Sequence, residues 1–244
     1  SKAANIPDKD IWSVRNILRA RLIQFIKARL TYDMQGRHDS PAYVINVLEK
    51  LNPNALTIGF ARRFATYKRA HLLFTNEERL SRILNNEQKP VQFVFAGKAH
   101  PHDKAGQDLI KRIIGISKKP QFVGKIIFVE NYDMRLGQLL TQGCDIWLNT
   151  PTRPLEASGT SGEKAAMNGV LNFSVLDGWW AEGYTSEAGW MLPEKRMFDN
   201  QEMQDQLDAE SIYSAFEDDI INAFYNRKRM VSGCKSRKCK RVQR

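Results

Sequence analysis

Short apolar segments that alternate with helical segments are the feature that most restricts how this chain can fold. Five such segments follow residue 54, and each is largely apolar at successive positions, so both of its faces are expected to be buried. They occupy residues 56–60, 91–96, 125–129, 146–148 and 171–176. Buried strands with a helix between each pair are typical of a parallel sheet that helices cover on both sides. The sequence therefore predicts an α/β protein.

Helical patterns precede and separate these strands. Residues 8–30 carry apolar side chains at helical spacing, with Asp8 or Asp10 available as a cap, and Arg15 and Arg19 are expected on the solvent-facing side. The other predicted helices cover residues 41–51, 67–84, 105–116, 134–140, 163–168 and 211–227, whereas residues 31–40 are predicted to form a loop.

The basic charge is concentrated at one end of the chain. The formal net charge is +10, and residues 227–244 contain nine Lys or Arg residues and no acidic residue. The rest of the chain is close to neutral, which argues against a fold that binds nucleic acid through its own surface. We expect residues 227–244 to form a disordered, solvated tail.

Composition also limits the cellular setting. No apolar run reaches the roughly 20 residues of a membrane span, and the N-terminal segment lacks the apolar core of a signal peptide. The three cysteines, Cys144, Cys234 and Cys239, form no disulfide framework, and the last two have no histidine beside them to complete a zinc site. We expect a cytoplasmic protein without a membrane segment or a metal site.

The segment 156–164, with the sequence EASGTSGEK, offers the most distinctive chemistry. It joins a predicted strand to a predicted helix, where free backbone N–H groups and the helix dipole favour an anion. Its hydroxyl groups and glycines, which help a ligand to approach, are Ser158, Gly159, Thr160, Ser161 and Gly162. Lys164 follows in the first turns of the helix. The pattern favours a phosphate site, although a loop that only caps the helix would have the same composition.

Polar residues also follow the other strands, at the sheet edge where parallel strands bind ligands. Four cations follow the first strand: Arg62, Arg63, Lys68 and Arg69. Either they bind an anion, or they lie in solvent at the start of the next helix. Glu156 beside an anion site is explained if its carboxylate accepts hydrogen bonds from sugar hydroxyls, or if it caps a helix.

Taken together, these motifs resemble those of the α-glucan phosphorylases, the family of glycogen, starch and maltodextrin phosphorylases. The motifs that carry the resemblance are, in chain order, Arg63 with Tyr67-Lys68-Arg69, then Gly97-Lys98-Ala99, Glu130-Asn131-Tyr132, and residues 156–160 with Lys164 and Met167-Asn168-Gly169. The resemblance covers roughly residues 1–226. Residues 161–163 and 177–180 depart from the commoner family pattern in the manner of its shorter, bacterial-type branch.

The resemblance implies a Rossmann-like parallel sheet that forms the C-terminal half of a glycosyltransferase-B architecture, in which two such domains face a cleft. It also implies a cofactor, pyridoxal 5'-phosphate, whose phosphate exchanges a proton with inorganic phosphate. Lys164 would hold this cofactor as a Schiff base and act in catalysis. Gly159, Thr160 and Ser161 would bind the cofactor phosphate, with Tyr132 nearby.

The implied reaction is the reversible phosphorolysis of an α-1,4-glucan to glucose 1-phosphate. Arg63 and Lys68 would act in catalysis by binding the substrate phosphate. Glu156, Ser158 and Gly159 would meet the hydroxyl groups of glucose.

The resemblance further implies that the family's first domain has no counterpart in this chain, so that the chain is a fragment without activity of its own. Residues 1–54 would then be a helical region that connects to the missing domain, and residues 55–226 would be the cofactor-carrying domain. The expected partners are glucan, phosphate, glucose 1-phosphate, the missing N-terminal domain and, in a homodimer, a second copy.

Two other functions are compatible with the sequence. A nucleotide-sugar glucosyltransferase of the glycogen or starch synthase type shares the architecture and the basic strand end, but it has no need of Lys164 behind its phosphate loop. A non-catalytic domain could instead bind nucleic acid or another partner through the basic residues 227–244.

Overall fold

The computed structural model describes residues 5–192 and 198–226, so the predicted disordered tail lies outside the described residues. The strands within this part are β1 (Leu56–Ala61), β2 (Val91–Ala96), β3 (Ile126–Val129), β4 (Ile146–Asn149), β5 (Leu171–Ser174) and β6 (Gly189–Met191). They form one sheet in the order β3-β2-β1-β4-β5-β6, and every neighbouring pair is parallel. This is the strand order of a Rossmann fold, which confirms the predicted α/β class and Rossmann-like sheet.

Helices cover both faces of the sheet. They are α1 (Asp8–Gly36), α2 (Pro41–Lys50), α3 (Glu77–Leu84), α4 (Lys104–Ser117), α5 (Met134–Gly143), α6 (Thr160–Met167), α7 (Trp179–Gly183), α8 (Gln201–Ala215) and α9 (Ile221–Asn226). Along β2, Phe93 and Phe95 pack in a core shared with α8 and α9, whereas Val94 and Ala96 pack in a core shared with α1, α2 and α5. Successive side chains of a strand point to opposite faces, so a strand that is apolar throughout serves both cores. In the described part of the chain, no helix is both long enough and apolar enough to cross a membrane.

Helix α1 is longer than its apolar pattern predicts. It continues to Gly36 through the segment that was expected to be a loop, because Leu30 and Met34 remain buried in the same core as the earlier turns. The expected aspartate caps are absent, since Pro7 occupies the N-cap position and no side chain caps this end.

Two arginines of α1 are buried, which corrects the prediction that they face solvent. Arg19 Nη1 lies 2.7 Å from Asp145 Oδ1, and Arg15 Nη2 lies 3.9 Å from the same oxygen. The second carboxylate oxygen of Asp145 accepts the backbone N–H of Thr57 at 2.9 Å. Helical spacing could not predict this cluster, because the carboxylate that holds the arginines lies far away in sequence, immediately before β4.

The long helix predicted for residues 67–84 is wrong. Two 3₁₀ turns, Thr66–Lys68 and Leu72–Phe74, come before α3. Between them Arg69 adopts a left-handed conformation, with φ of 49°, and its guanidinium donates to the carbonyls of Thr150 and Pro151 at 2.9 and 3.0 Å. These contacts hold the segment against the end of β4 and prevent a continuous helix.

The C-terminal helix was predicted too late in the sequence, and β6 was not predicted. Helix α8 begins at Gln201, ahead of the predicted start at residue 211. Its first turns have polar buried positions, because Gln204 donates to Asp208 at 2.8 Å and Asp208 pairs with Arg69 at 2.7 Å. A search for apolar residues at helical spacing misses such a helix, because some of its buried positions are polar.

The buried cluster at Asp145 can be tested with Asp145→Asn. This change keeps the shape of the side chain but leaves the charges of Arg15 and Arg19 uncompensated, and breaking a buried ion pair costs about 3–5 kcal/mol. Chemical denaturation should show a loss of stability of this order. Asp108→Asn is the matched control, because Asp108 pairs with Lys104 on the surface, where such pairs contribute little. Equal stabilities of the two variants would contradict the assignment.

Candidate active site

A cavity of about 620 Å³ lies at the carboxyl edge of the sheet. Residues from the ends of β1 and β2, from the segment after β3 and from the loop before α6 line it. They are Ala61, Arg62, Arg63, Tyr67, Lys68, Gly97, Lys98, Ala99, His100, Tyr132, Glu156, Gly159, Thr160 and Ser161. The parallel sheet thus brings together groups that are far apart in sequence, as expected for this edge.

The turn after β1 is fixed by the residues that follow β2. Arg62 donates its backbone N–H to Ala96 at 3.1 Å, and Phe64 donates to the carbonyl of Lys98 at 3.0 Å. Gly97 adopts φ of 145°, and a Cβ atom there would lie 1.8 Å from the carbonyl oxygen of Arg62. Only glycine permits this approach, so Gly97 helps to set the position of Arg62 and Arg63.

A buried cluster of two cations and one carboxylate forms one wall of the cavity. Arg62 Nη2 lies 2.6 Å from Glu156 Oε2, and Lys68 Nζ contacts the same oxygen. Burial acts to raise the pKa of the Glu156 carboxyl, but Lys68 and Arg62 outweigh burial and hold this pKa below its ordinary value. Burial lowers the pKa of the Arg62 guanidinium, and Glu156 opposes that shift. The cluster is therefore charged, with Glu156 as its counter-ion.

One guanidinium nitrogen of this cluster has no partner. Arg62 Nη1 is buried and makes no hydrogen bond within the described part of the chain. A buried donor without a partner costs free energy, so an acceptor that enters the cavity would be favoured there.

Arg63 and Lys98 add exposed cations to the same cavity, and among the described residues neither side chain has an ion-pair partner. Arg69, the fourth predicted cation, does not belong to the site. Its guanidinium points to α8, where it lies 2.9 Å from Asp205 and 2.7 Å from Asp208.

At the start of α6, backbone N–H groups face the cavity, whereas the hydroxyl of Ser158 does not. Helix α6 begins at Thr160, three residues before the predicted start, after Gly159 in a left-handed conformation with φ of 85°. No side chain caps this end, so the N–H groups of Thr160 and Ser161 are available at the cavity, which these two residues line. The N–H of Gly162 is already bonded to the carbonyl of Gly159 at 2.9 Å. Ser158 does not line the cavity, and its hydroxyl donates to Glu163 Oε1 at 3.0 Å.

Lys164 lies in an adjoining cavity of about 680 Å³ between α5 and α6. Tyr132 and Ser161 line both cavities, so these two residues separate Lys164 from the cluster at Glu156. Tyr132 is half-buried, and burial, assisted by Asp133, raises the pKa of its phenol. A Cβ atom at Gly137 would lie 2.5 Å from the Tyr132 hydroxyl, so this glycine makes room for the ring.

Sequence reasoning did not give Arg62, Gly97 and Asp177 individual roles. Asp177 Oδ2 accepts the backbone N–H of Glu156 at 2.9 Å and so fixes the start of the loop. The position of Gly97 directly after a strand was the available signal for a close backbone approach. No local signal distinguishes Arg62, which is buried, from Arg63, which is exposed.

Comparison with known proteins identifies close relatives of this chain. The family model of carbohydrate phosphorylases matches residues 39–184. A maltodextrin phosphorylase from Thermococcus litoralis is 43% identical over 227 residues, which are 93% of this chain and 27% of that protein. A glycogen phosphorylase from Aquifex aeolicus is 44% identical over 223 residues (91% and 32%), and one from Mycobacterium tuberculosis is 42% identical over 217 residues (89% and 25%). The chain thus spans between 25% and 32% of the length of these curated relatives.

The close approach at Gly97 can be tested with Gly97→Ala. The added methyl group would collide with the carbonyl of Arg62, so we expect a loss of more than about 1 kcal/mol in the free energy of unfolding. Gly115→Ala in α4 is the control, because a Cβ atom there meets nothing within 4 Å, and alanine in a helix should stabilise by about 0.5–1 kcal/mol. Denaturant titration should therefore give effects of opposite sign. A stabilised Gly97→Ala variant would contradict the geometry described for this turn.

Proposed function

The chain belongs to the carbohydrate phosphorylase family, and on this basis we propose that it supplies the phosphate- and cofactor-binding wall of an α-glucan phosphorylase. The reaction is the reversible phosphorolysis of an α-1,4-glucan to glucose 1-phosphate. The observation that carries the proposal is the convergence of Arg62, Arg63 and Lys68 on one cavity, beside an uncapped helix N-terminus. Such a site suits anions, because it offers charged donors and free backbone N–H groups together.

Arg63 and Lys68 bind the attacking phosphate. Arg63 is exposed at the cavity and has a planar fork that matches phosphate oxygens, whereas Lys68 is buried and supplies a point charge. The two side chains hold the phosphate in the orientation needed for attack, and positioning of this kind lowers a barrier without chemistry by the side chains themselves.

The residues present fit pyridoxal phosphate. The α6 N-terminus, with the left-handed Gly159, offers donors to the cofactor phosphate through the backbones of Thr160 and Ser161, and the unpartnered Arg62 Nη1 supports an anion in the same cavity. When bound, the cofactor supplies a second phosphate group that can exchange a proton with the substrate phosphate. Lys164 holds the cofactor from the adjoining cavity.

Tyr132 lies where the two parts of the cofactor site meet. Its ring lines both cavities, and its hydroxyl lies over Gly137 of α5. We assign it the role of orienting the cofactor between Lys164 and the phosphate-binding backbone.

Glu156, Ser158 and Gly159 form the side of the site that meets glucose. The carboxylate of Glu156 can accept hydrogen bonds from sugar hydroxyls, as can the carbonyls of the loop. Ser158 requires a rotation of its side chain to do so, since its hydroxyl is bound to Glu163.

The wall of the site that faces this chain is supplied by the rest of the phosphorylase, which is present in the relatives but not matched by this chain. We propose a glycosyltransferase-B arrangement in which that part closes over the cavity and excludes water. A closed, dry site strengthens the electrostatic contacts of the cations with both phosphates. The cytoplasmic location and the homodimer stay predictions, and the synthase alternative is not favoured by the family match.

Arg63→Ala should weaken the binding of inorganic phosphate about tenfold or more, because a hydrogen bond to a charged group contributes about 1.5–3 kcal/mol. Isothermal titration of the 244-residue chain with phosphate measures the effect. Arg112→Ala is the matched control, since Arg112 is an exposed arginine of α4 away from the cavity. Equal affinities in the two variants would remove Arg63 from the phosphate site.

Lys164→Ala should abolish covalent retention of pyridoxal phosphate. The chain is mixed with the cofactor, reduced with borohydride and digested, and mass spectrometry identifies the labelled peptide. Lys111→Ala, which alters an exposed lysine of α4, should keep the label at Lys164. A label of undiminished yield in Lys164→Ala, or one on another lysine, would refute the assignment.

The 244-residue chain alone should show no phosphorolysis. The loss of positioning that a closed site provides, about 7–11 kcal/mol, would take turnover below detection. The assay is glucose 1-phosphate release from maltoheptaose and phosphate, with the full-length Thermococcus litoralis relative as the positive control. Robust turnover by the chain alone would show that it builds a complete site.

A further inference from the structure

We infer that the carboxylate of Glu156 holds the position of an anion among the cations of this site, and that phosphate competes with it for Arg62 and Lys68. The inference rests on the proposed function, since it takes phosphate as the anion. Arg62 Nη2 and Lys68 Nζ both bind the same oxygen, Oε2, whereas Oε1 receives neither of them. A single phosphate oxygen could accept from the same two donors.

Glu156 opposes the binding of phosphate through its charge. An anion that binds Arg63 and the unpartnered Arg62 Nη1 would lie close to the carboxylate, in a wall where Arg62, Lys68 and Glu156 are all buried. Like charges beside a buried wall repel more strongly than like charges on the protein surface, because less water screens them. Phosphate is therefore expected to draw Lys68 and Arg62 toward itself and to loosen their contacts with Glu156.

The loop backbone would not have to move when this happens. The N–H of Glu156 is held by Asp177 Oδ2 at 2.9 Å, and the carbonyl of Ser158 accepts the N–H of Trp179 at 2.9 Å. Gly178 packs against Ser158 so closely that a Cβ atom would lie 2.4 Å from the Ser158 carbonyl oxygen. The backbone is thus fixed on one side, whereas the cations hold the Glu156 carboxylate on the other. Release of the carboxylate needs only a rotation of its side chain.

The released carboxylate needs new donors, and sugar hydroxyls supply them. Phosphate and glucose would then bind cooperatively. Glucose supplies donors to the carboxylate that phosphate releases, and phosphate supplies a counter-ion to the cations that the carboxylate leaves. Glu156 in this way links the occupancy of the anion site to recognition of the sugar.

The test uses Glu156→Gln, which keeps the shape and an acceptor oxygen but removes the competing charge. Isothermal titration of the 244-residue chain with inorganic phosphate should show binding about tenfold tighter than in the unaltered chain. Glu163→Gln is the matched control, because Glu163 lies nearby in the first turn of α6 but binds Ser158 instead of the cations. Its affinity should change by no more than about twofold, since its charge acts at longer range.

A second readout separates competition from a general loss of structure. Without phosphate, Glu156→Gln should unfold at a lower temperature, because Arg62 and Lys68 lose their counter-ion. Phosphate should then raise the unfolding temperature of this variant more than that of the unaltered chain. In a Lys68→Gln background the gain in phosphate affinity from Glu156→Gln should shrink, since one of the two shared donors is gone.

The possible outcomes distinguish a failure of this inference from a failure of the proposed phosphate site. Equal or weaker phosphate binding by folded Glu156→Gln would overturn the inference and leave the phosphate site standing. Absence of phosphate binding in both the unaltered chain and the variant would overturn the phosphate site, and the inference with it. If Glu156→Gln does not fold, the double variant Lys68→Gln/Glu156→Gln provides the test, because it removes one buried cation together with the carboxylate and should still bind phosphate more tightly than Lys68→Gln alone.

Discussion

The parallel direction of the six strands is the constraint on which the rest of this structure depends. Because every strand of the described sheet runs the same way, the segments that follow β1, β2, β3 and β4 all meet at one edge. Helices on both faces make this arrangement stable, since β2 alone contributes Phe93 and Phe95 to one core and Val94 and Ala96 to the other. The cavity is therefore a consequence of topology, and the loops only determine its chemistry.

The chemistry of that edge requires like charges to lie close together. Arg62 and Lys68 are buried side by side, and without an anion they would repel each other in a region that water screens poorly. Glu156 compensates both of them through one oxygen, and Asp177 and Gly178 hold the loop that carries it. If the cavity binds anions as proposed, this carboxylate stabilises the two cations before an anion binds, and it also competes with the anion for them.

The sequence predicts the sheet well because each strand is apolar on both faces, a pattern that does not depend on distant residues. It also predicts that small residues and cations gather at one edge of the sheet, because such residues follow the strands in the sequence. It fails where a polar side chain is buried by a partner far away in sequence. Arg19 of α1 meets Asp145, Arg69 meets Asp208 of α8, and each contact shifts a helix from its predicted place or face. Periodicity describes one segment at a time and carries no information about such pairs.

The buried arginines of this protein differ in whether their guanidinium nitrogens all have acceptors within the protein. This difference distinguishes arginines that support the fold from one that could bind a ligand. Arg15 donates to the carbonyls of Gln142 and Cys144, and the three nitrogens of the Arg69 guanidinium all have acceptors within the protein. These side chains fasten one element to another through acceptors that belong to the protein. Arg62 is as deeply placed, yet its Nη1 has no partner among the described residues. Since a buried N–H without an acceptor costs free energy, its presence at a cavity wall is best explained by an acceptor that comes from outside. This difference supports our proposal that the anion site lies at the end of β1.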